Sequence, residues 1–258
     1  MGVLMYRFYV EPEQIDGQQI SVYGGDVNHI KNVLRLKQGD WVILCDGENT
    51  DYYCRIEQMN PQDILCHIEK KESGSTELPG SITLFQGVPK GEKMELIIQK
   101  AVELGVARIV PVFTKRCVVK LDDKKAAKKV ERWQKIAEAA AKQCGRGYIP
   151  QVADVVTYKE AVEMASANVC NLLPYECAEG IQEAAKIVEE AAKSPSVGIF
   201  IGPEGGFEEE EVRLGKDHGF QVMTLGKRIL RTETAGIATL AILMFSMQAK
   251  APWQEDNW

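Results

Sequence analysis

Residues 197–207 read VGIFIGPEGGF, an apolar run that ends in a glycine-rich turn and precedes the acidic residues 208–211. This pattern indicates a buried strand, a tight turn and a helix. A similar arrangement follows at 222–235, where a short apolar run leads through LGKRILRTETA (225–235) into a long apolar helix. Because ligands of open α/β sheets bind where strands end, the two turns predict one pocket.

The glycine spacing argues against two common nucleotide sites. A P-loop requires Lys-Ser or Lys-Thr after its last glycine, and a dinucleotide fingerprint requires G-x-G-x-x-G at a helix start. Neither pattern occurs in these turns. Glycine and proline would bring main chain close to a ligand of another kind. The alternative is a pair of tight turns without any ligand.

The composition is that of an ordinary globular protein. The 258 residues allow one or two domains, and 45% of them are hydrophobic. Neither a membrane-span-sized apolar run nor a secretory leader is evident, so we expect a cytoplasmic protein without a membrane partner. The seven cysteines lack a C-x-x-C pair and the three histidines are far apart, so we expect reduced core thiols and no metal site.

The net charge of −6 is distributed unevenly. Residues 115–146 contain eleven Lys or Arg against four Asp or Glu, a local charge of +7 that leaves −13 on the remainder. A surface that binds a polyanion produces this asymmetry. A solvated helix with lysines on its outer face, such as Lys124, Lys125, Lys128 and Lys129, would produce it as well.

Short strand-like runs dominate residues 1–72. Trp41–Cys45, Tyr52–Glu57 and Ile64–Glu69 are separated by turn-forming residues 46–49 and 60–63, which predicts successive hairpins. A short helix is expected over Asp26–Leu36, with Asp26 as N-cap and an apolar stripe of Val27, Ile30, Val33 and Leu34. We predict a small β-barrel over 1–72 and a linker at 73–80.

From residue 81 onward, strands alternate with helices. The predicted strands are 82–85, 107–113, 169–173, 197–201 and 221–225. The predicted helices are 92–104, 122–143, 158–167 (with a Thr157/Glu160 capping box), 178–192, 208–217 and 233–248. This alternation predicts a second domain, 81–258, with a mainly parallel sheet covered on both faces. The last helix carries no charge from Thr234 to Gln248, so it is buried in its own domain or against a second subunit.

With these segments placed, further motifs identify a family. They are Met5-Tyr6-Arg7-Phe8-Tyr9, the segment His29–Asp40, Glu103-Leu104-Gly105-Val106, Thr114-Lys115-Arg116-Cys117 and Gln143-Cys144-Gly145-Arg146, together with G-P-E-G-G and L-G-x-R-I-L-R-x-E-T-A. In this combination the chain resembles, over nearly its whole length, the bacterial 16S ribosomal RNA (uracil-N3)-methyltransferases of the SPOUT class. Cys117 and Cys144 stand where serine is expected, and Tyr9 where phenylalanine is common.

The resemblance implies an α/β fold in which a C-terminal SPOUT domain with a trefoil knot follows a small N-terminal PUA-like β-barrel that binds RNA. Periodicity alone predicts only an ordinary open sheet, since true knots are rare. The resemblance further implies a homodimer, S-adenosylmethionine as cofactor, and methylation of N3 of one uridine in the decoding region of 16S ribosomal RNA, with the assembled small subunit as substrate.

The cofactor is expected across three loops, where apolar side chains hold the faces of adenine and main-chain groups bind its edge. The candidate residues are Leu173, Pro174, Ile201, Gly202, Pro203, Glu204, Gly205, Gly206, Leu225, Gly226, Ile229, Leu230, Arg231, Thr234 and Ala235.

Methylation at N3 requires loss of the imide proton, which calls for a base or for stabilisation of the anion on the carbonyl oxygens. Arg231 is the first candidate for stabilising that anion, followed by Glu204 and Glu233 as base or orienting residue. A surface ion pair and a helix-start carboxylate are the alternatives for these side chains. Candidates for holding RNA phosphates are Arg7, Arg35, Lys37, Lys115, Arg116 and Arg146, whose alternative is a solvated surface.

Other functions are compatible with parts of this pattern. A nucleotide-using α/β enzyme such as an oxidoreductase would also place glycine turns at its cofactor, but the usual fingerprints are missing from those turns. An RNA-binding assembly factor with a vestigial pocket would have no need for intact G-P-E-G-G and R-T-E-T-A segments. Methylation at another RNA position is the closest alternative.

Overall fold

The computed structural model describes residues 5–73, 76–119, 122–178 and 180–250. The chain divides into two compact units. Unit 1 comprises Met1–Glu77 and Ala141–Ile149, and unit 2 comprises Leu78–Ala140 and Pro150–Trp258. The sequence analysis predicted 141–149 as part of the second domain. The helical pattern over 122–143 is continuous, and it gives no sign that its last residues group with the N-terminal part of the chain.

Unit 1 is built on a six-stranded sheet. Its strands are β1 (Tyr6–Tyr9), β2 (Ile15–Asp16), β3 (Gln19–Tyr23), β4 (Trp41–Cys45), β5 (Thr50–Met59) and β6 (Asp63–Ser73). They are ordered β1-β4-β5-β6-β3-β2. β1 runs parallel to β4, and the other neighbouring pairs are antiparallel. The predicted hairpins β4–β5 and β5–β6 are confirmed; β4 has the predicted bounds, and β5 and β6 are longer than the sequence indicated.

Alternating side chains of this sheet form one hydrophobic core. Val42 and Leu44 of β4 are fully buried, as are Cys54 of β5 and Cys66 of β6. Burial raises the pKa of both thiols to about 12, so they are neutral at physiological pH. Cys45 is buried in the same unit, whereas Cys177 of the second unit is exposed, so only some of the cysteines are the core residues that the sequence predicted.

The short helix of unit 1 differs from its prediction. Helix α1 (Gly25–Asn28) is capped by Gly24, whose φ of 74° favours glycine, and Asp26 lies inside the first turn. A π-helical turn, His29–Val33, continues it. The wider turn places Ile30 in the core but leaves Val33 64% exposed, so Val33 does not belong to the apolar stripe.

Unit 2 contains a wholly parallel sheet. Its strands are β7 (Ser81–Gly87), β8 (Arg108–Phe113), β9 (Gln151–Val152), β10 (Val156–Thr157), β11 (Cys170–Pro174), β12 (Ser196–Ile201) and β13 (Gln221–Met223). The order is β10-β8-β7-β12-β11-β13, with β9 also paired to β8. β9 and β10 were not predicted, because two residues are too few to establish a period.

Six helices connect or flank these strands. They are α2 (Lys93–Glu103), α3 (Asp123–Cys144), α4 (Tyr158–Ala165), α5 (Ile181–Ala191), α6 (Glu209–Asp217) and α7 (Thr232–Gln248). The predicted capping box is present, because Thr157 accepts a hydrogen bond from the Glu160 N–H and the Glu160 side chain accepts one from the Thr157 N–H. Helix α5 begins three residues later than predicted, after Gly180 in a left-handed conformation.

The sequence left two alternatives for the last helix, α7: burial in its own domain or burial against a second subunit. Its residues Leu240, Leu243 and Met247 are buried within unit 2, yet Ile242 is 48% and Phe245 70% exposed. One face of α7 therefore belongs to the core of unit 2 and another carries exposed apolar side chains.

The linker predicted at 73–80 is only partly a linker. Ser73 ends β6, and Gly74 and Ser75 lie outside the described residues. Glu77 pairs with Arg146 inside unit 1, whereas Leu78 begins unit 2. The mixed α/β fold with its parallel sheet is confirmed, and the trefoil knot stays a prediction.

Candidate active site

A cavity of about 420 Å³ lies in unit 2 where neighbouring strands end. Its walls come from the segments after β11, β12 and β13 and from the start of α7. Since β12, β11 and β13 are adjacent in the parallel sheet, their carboxyl ends meet at one edge. The two glycine-marked turns of the sequence thus form one cavity, as predicted.

The predicted cofactor residues line this cavity except for Leu173 and Thr234. Leu173 is fully buried in the core beside Phe200 and Phe207, because successive residues of a strand face opposite sides and Pro174 faces the cavity. On α7 the helical period brings Thr232 and Ala235 to the cavity and leaves Thr234 off it.

Six lining residues escaped the sequence analysis. They are Tyr175, Glu176, Phe207, Thr224, Arg228 and Thr232. Tyr175, Glu176, Phe207 and Thr224 lie one or two residues beyond the three predicted loops, so slightly longer loops would include them. Arg228 and Thr232 lie inside the 225–235 segment, but a cation and a hydroxyl are not the apolar or glycine residues expected to contact adenine.

The glycine loop 202–206 leaves no room for a side chain at two positions, Gly202 and Gly206. A Cβ on Gly202 would lie 2.9 Å from the Gly206 carbonyl carbon, and Gly206 itself has a φ of 68°. The Gly206 N–H donates to the Pro203 carbonyl over 2.9 Å, which closes the turn. A Cβ on Gly206 would also meet a carboxylate oxygen of Glu176 at 2.8 Å. This part of the cavity wall therefore consists of main-chain atoms in close contact with one another.

The two candidate catalytic carboxylates share one cation. Lys93 Nζ lies 3.1 Å from Glu204 Oε1 and 3.5 Å from Glu233 Oε2. Burial by itself would raise the pKa of the Glu204 carboxyl, but backbone hydrogen bonds and Lys93 hold it below its ordinary value. A carboxylate stabilised in its ionised form is a weak proton acceptor. This argues for an orienting role over a base role for Glu204, and the shared Lys93 ties Glu233 to the same cluster.

Arg231 is placed differently. It is the N-cap residue of α7, lines the cavity and is exposed. Within the described residues its guanidinium has neither an ion pair nor a hydrogen bond to another side chain. A cation at the rim without an internal partner can meet a developing negative charge, which agrees with its predicted role.

Arg7 and Arg146, two of the predicted phosphate-binding residues, are engaged inside unit 1. Arg7 Nη2 lies 2.5 Å from Asp51 Oδ1, and its Nη1 donates to the Gly145 carbonyl. Arg146 is 4% exposed and pairs with Glu77. A phosphate contact would have to break these interactions, which weakens the prediction that the two arginines hold RNA phosphates. Sequence could not reveal the partners, which are 44 or more residues away.

Lys115 and Arg116 bind the segment that follows the glycine loop. Arg116 donates from Nη1 to the Gly205 carbonyl over 2.9 Å and from Nε to Glu208 over 2.9 Å. Its hydrogen bond holds the pKa of the Glu208 carboxyl below its ordinary value. Lys115 pairs with Glu210. These cations are partly neutralised, which weakens the prediction that they hold phosphates.

The remaining predicted cations are exposed. Arg35 and Lys37 of unit 1 have no side-chain ion pair in the part of the chain that is described. Arg35 has a φ of 56°, an uncommon conformation for a residue with a side chain. In unit 2, Lys227 and Arg228 are likewise exposed and unpaired among the described residues, and Ile229 beside them is 89% exposed.

Two further findings concern the described residues alone. No helix there has the length and apolar character that a membrane crossing requires. The same residues contain no cluster of three or more His, Cys, Asp and Glu side chains suited to hold a metal ion.

Comparison with known proteins places the chain in a family. Residues 76–244 match the model of an RNA methyltransferase domain, and residues 22–69 match that of an RNA methyltransferase PUA domain. Ribosomal RNA small subunit methyltransferase E of Bacillus subtilis strain 168 is 36% identical over 250 residues, covering 95% of this chain and 98% of that one. Its counterpart in Mesomycoplasma hyopneumoniae is 34% identical, covering 92% and 97%.

A solved structure agrees in fold. The crystal structure of ribosomal RNA small subunit methyltransferase E from Neisseria gonorrhoeae, bound to S-adenosyl methionine, is 35% identical to the chain with a TM-score of 0.76. The match covers 93% of this chain and 97% of that one. Unit 1 accordingly contains the PUA-like domain expected from the resemblance. By family model, sequence and structure, the chain belongs to the ribosomal RNA small subunit methyltransferase E family.

Proposed function

We propose that the protein transfers a methyl group from S-adenosylmethionine to N3 of one uridine of 16S ribosomal RNA, in the decoding region of the small subunit. The observation that carries this proposal is the cavity built from two glycine-marked loops at the ends of adjacent parallel strands. Relatives across the whole chain are named as small-subunit methyltransferases, which supports the same assignment.

The cavity suits S-adenosylmethionine. Its volume falls in the range of small-molecule sites, and Ile201, Leu225 and Leu230 offer apolar surface for a flat ring. The main chain of 202–206 offers N–H and C=O groups at close range, since a Cβ at Gly202 would fill the turn. When bound, the cofactor supplies an electrophilic methyl group. The neighbour from Neisseria gonorrhoeae, which holds S-adenosyl methionine, has the same fold.

The residues of this chain contribute to the reaction through charge and position. N3 of uridine carries a proton, so negative charge develops on the flanking carbonyl oxygens when it leaves. Arg231 lines the cavity and carries a positive charge that is suited to stabilise that developing negative charge. Glu204 and Glu233, paired with Lys93, hold the loop and the start of α7 in place. We therefore keep Arg231 as the catalytic candidate and give the glutamates an orienting role.

RNA binding is proposed for two exposed groups of cations. Arg35 and Lys37 belong to unit 1, which contains the PUA-like domain, and Lys227 and Arg228 lie on the cavity loop of unit 2. Exposed cations that lack an internal partner are free to neutralise phosphates. A paired uridine hides N3, so the substrate nucleotide must be unpaired or flipped out of its stack to reach the cavity.

A homodimer is the proposed assembly. Ile242 and Phe245 are exposed apolar side chains of α7, and Leu96 is an exposed apolar side chain of α2, which packs against α7. Exposed apolar groups on two packed helices are typical of a protein–protein contact surface. A second copy of the chain would cover it. We further propose that the enzyme acts in the cytoplasm on assembled small subunits.

The test is nucleoside mass spectrometry on unmodified small subunits, and separately on protein-free 16S RNA, after incubation with methyl-labelled S-adenosylmethionine. The proposal expects label in 3-methyluridine, and dependence on assembly would define the substrate. Label in another nucleoside would replace the uridine assignment. Binding of RNA without turnover would favour an assembly factor, and thermal stabilisation by NAD or ATP in place of S-adenosylmethionine would favour another nucleotide enzyme.

A further inference from the structure

Residues 86–93, which run from the last two residues of β7 to the first residue of α2, do not line the cavity. They nevertheless contact both segments that form it, the glycine loop 202–206 and the start of α7. These contacts occur in a buried layer around Gln86 and in a partly exposed layer around Lys93. Neither residue stands out in the sequence.

The buried layer is a chain of hydrogen bonds through Gln86. This side chain is fully buried, and its Nε2 donates to Thr232 Oγ1 over 2.9 Å and to the Gly87 carbonyl over 3.0 Å. Thr232 Oγ1 in turn donates to the Gly202 carbonyl over 2.6 Å. One path thus joins β7, the start of α7 and the glycine loop.

The orientation of the Gln86 amide follows from its partners. The Thr232 hydroxyl has one hydrogen, which it gives to the Gly202 carbonyl, so toward Gln86 it can only accept. The Gly87 carbonyl can only accept as well. The flipped amide would place its oxygen against two acceptors, and the Gln86 Nε2 atom must therefore face both.

The main chain of the same segment is fitted to the glycine loop. A Cβ on Gly87 would lie 2.7 Å from the Pro203 backbone nitrogen, so the two backbones touch. In the partly exposed layer the Lys90 N–H donates to Glu204 Oε1 over 3.1 Å, and Lys93 pairs with Glu204 and with Glu233 of α7. Each layer therefore reaches the same two cavity segments.

We propose that Gln86 is a positioning residue that fixes the glycine loop against the start of α7 and thereby sets the affinity of the cavity for S-adenosylmethionine without contacting it. This inference rests on the proposed function of the cavity. A hydrogen-bonded path in a water-free interior resists distortion more strongly than one in water. A loop that is held in its binding conformation loses less entropy when the ligand arrives.

The first test replaces the donor while keeping the length of the side chain, in Gln86→Met. The expected result is an increase in the S-adenosylmethionine Kd of about tenfold by isothermal titration, as expected for loss of a buried hydrogen-bond partner. In the ligand-free protein, amide hydrogen exchange over 202–206 is expected to accelerate at the same time.

The matched control is Gln134→Met. Gln134 of α3 is also in unit 2, donates to the Pro150 carbonyl over 3.2 Å and accepts from the Val152 N–H over 2.8 Å, away from the cavity. It is expected to lower Tm with the Kd and the exchange of 202–206 unchanged. If Gln86→Met only lowers Tm as the control does, and leaves Kd and loop exchange at wild-type values, the proposal is overturned.

A second pair of variants keeps the proposal testable if Gln86→Met folds poorly. Because Thr232 itself lines the cavity, this pair is assessed by hydrogen exchange in the ligand-free protein: Thr232→Ser retains the hydroxyl and is expected to keep the wild-type exchange of 202–206, whereas Thr232→Val removes it and is expected to accelerate that exchange as Gln86→Met does. Combining Gln86→Met with Thr232→Val should add little to either single change, because both break one path. Fully additive losses would contradict a shared path.

The exchange measurement separates this inference from the proposed function. If wild-type protein failed to bind S-adenosylmethionine, the function would be wrong, while faster exchange at 202–206 in Gln86→Met would still support the positioning role. If wild-type protein bound the cofactor and methylated uridine, but Gln86→Met left both exchange and Kd unchanged, the function would stand and the inference would fall.

Discussion

The substitution Gly202→Ala tests whether the cavity wall depends on close backbone packing. The new methyl group would lie 2.9 Å from the carbonyl carbon and 3.0 Å from the Cα of Gly206. Both atoms are backbone, so no side chain can rotate away and the turn itself must open. The Gly202 carbonyl, which accepts the Thr232 hydroxyl, would move with it.

The expected magnitude follows from overpacking. Forcing one methyl group into a tightly packed site costs about 1–3 kcal/mol. If the cofactor-binding conformation of the loop is destabilised by about 2 kcal/mol, the Kd for S-adenosylmethionine rises about 30-fold. Isothermal titration with S-adenosylmethionine measures this directly. Thermal unfolding of the ligand-free protein measures how much of the cost appears as lost stability instead.

Gly25→Ala is the control. Gly25 lies in α1 of unit 1, and a Cβ there would meet nothing within 4 Å. Because alanine favours a helix over glycine, this variant is expected to keep the wild-type Kd and to be as stable or slightly more stable. A Gly202→Ala protein whose Kd stays within twofold of wild type would refute the idea that this turn shapes the cofactor site.

Three other changes probe the proposed activity. Arg231→Ala is expected to bind S-adenosylmethionine normally but to lose about 100-fold in kcat, as after removal of one charge-stabilising donor; an unchanged kcat would remove Arg231 from the catalytic candidates. Phe245→Asp is expected to shift the light-scattering mass from twice the 28.7 kDa chain to a single chain, and a mass that does not change would contradict α7 as the dimer face. Lys37→Ala is expected to weaken RNA binding and reduce its salt slope by about one, whereas Arg7→Ala should chiefly lower Tm; the reverse pattern would reinstate Arg7 as a phosphate contact.

Much of the fold could be predicted because its signals are local. The apolar run 197–201 with the glycine turn after it gave β12 and the cavity loop, and the Thr157/Glu160 spacing gave the start of α4. Errors arose where backbone geometry departs from the regular period. The π-helical turn exposes Val33, and the two-residue strands β9 and β10 carry too little pattern to be recognised.

The cavity segments could be predicted for the same reason, but not their partners. Lys93 pairs with Glu204 and Glu233, both more than a hundred residues away, and no spacing rule links these positions. The carboxylates therefore resembled catalytic candidates. In the same way, no spacing rule links Arg146, a predicted phosphate ligand, to Glu77, with which it pairs across 69 positions of sequence.

The sequence by itself determined the alternation of strands and helices, the two glycine-marked turns and, through its motifs, the family. These properties depend on hydrophobic period and on conformations that only glycine adopts, which are set by neighbouring residues. Only the tertiary structure decided which charged groups are neutralised internally and which face the cavity or solvent. Gln86 illustrates the reason, since it meets Thr232 across 146 positions of sequence, and such a contact exists only after the parallel strands have brought distant segments to one edge of the sheet.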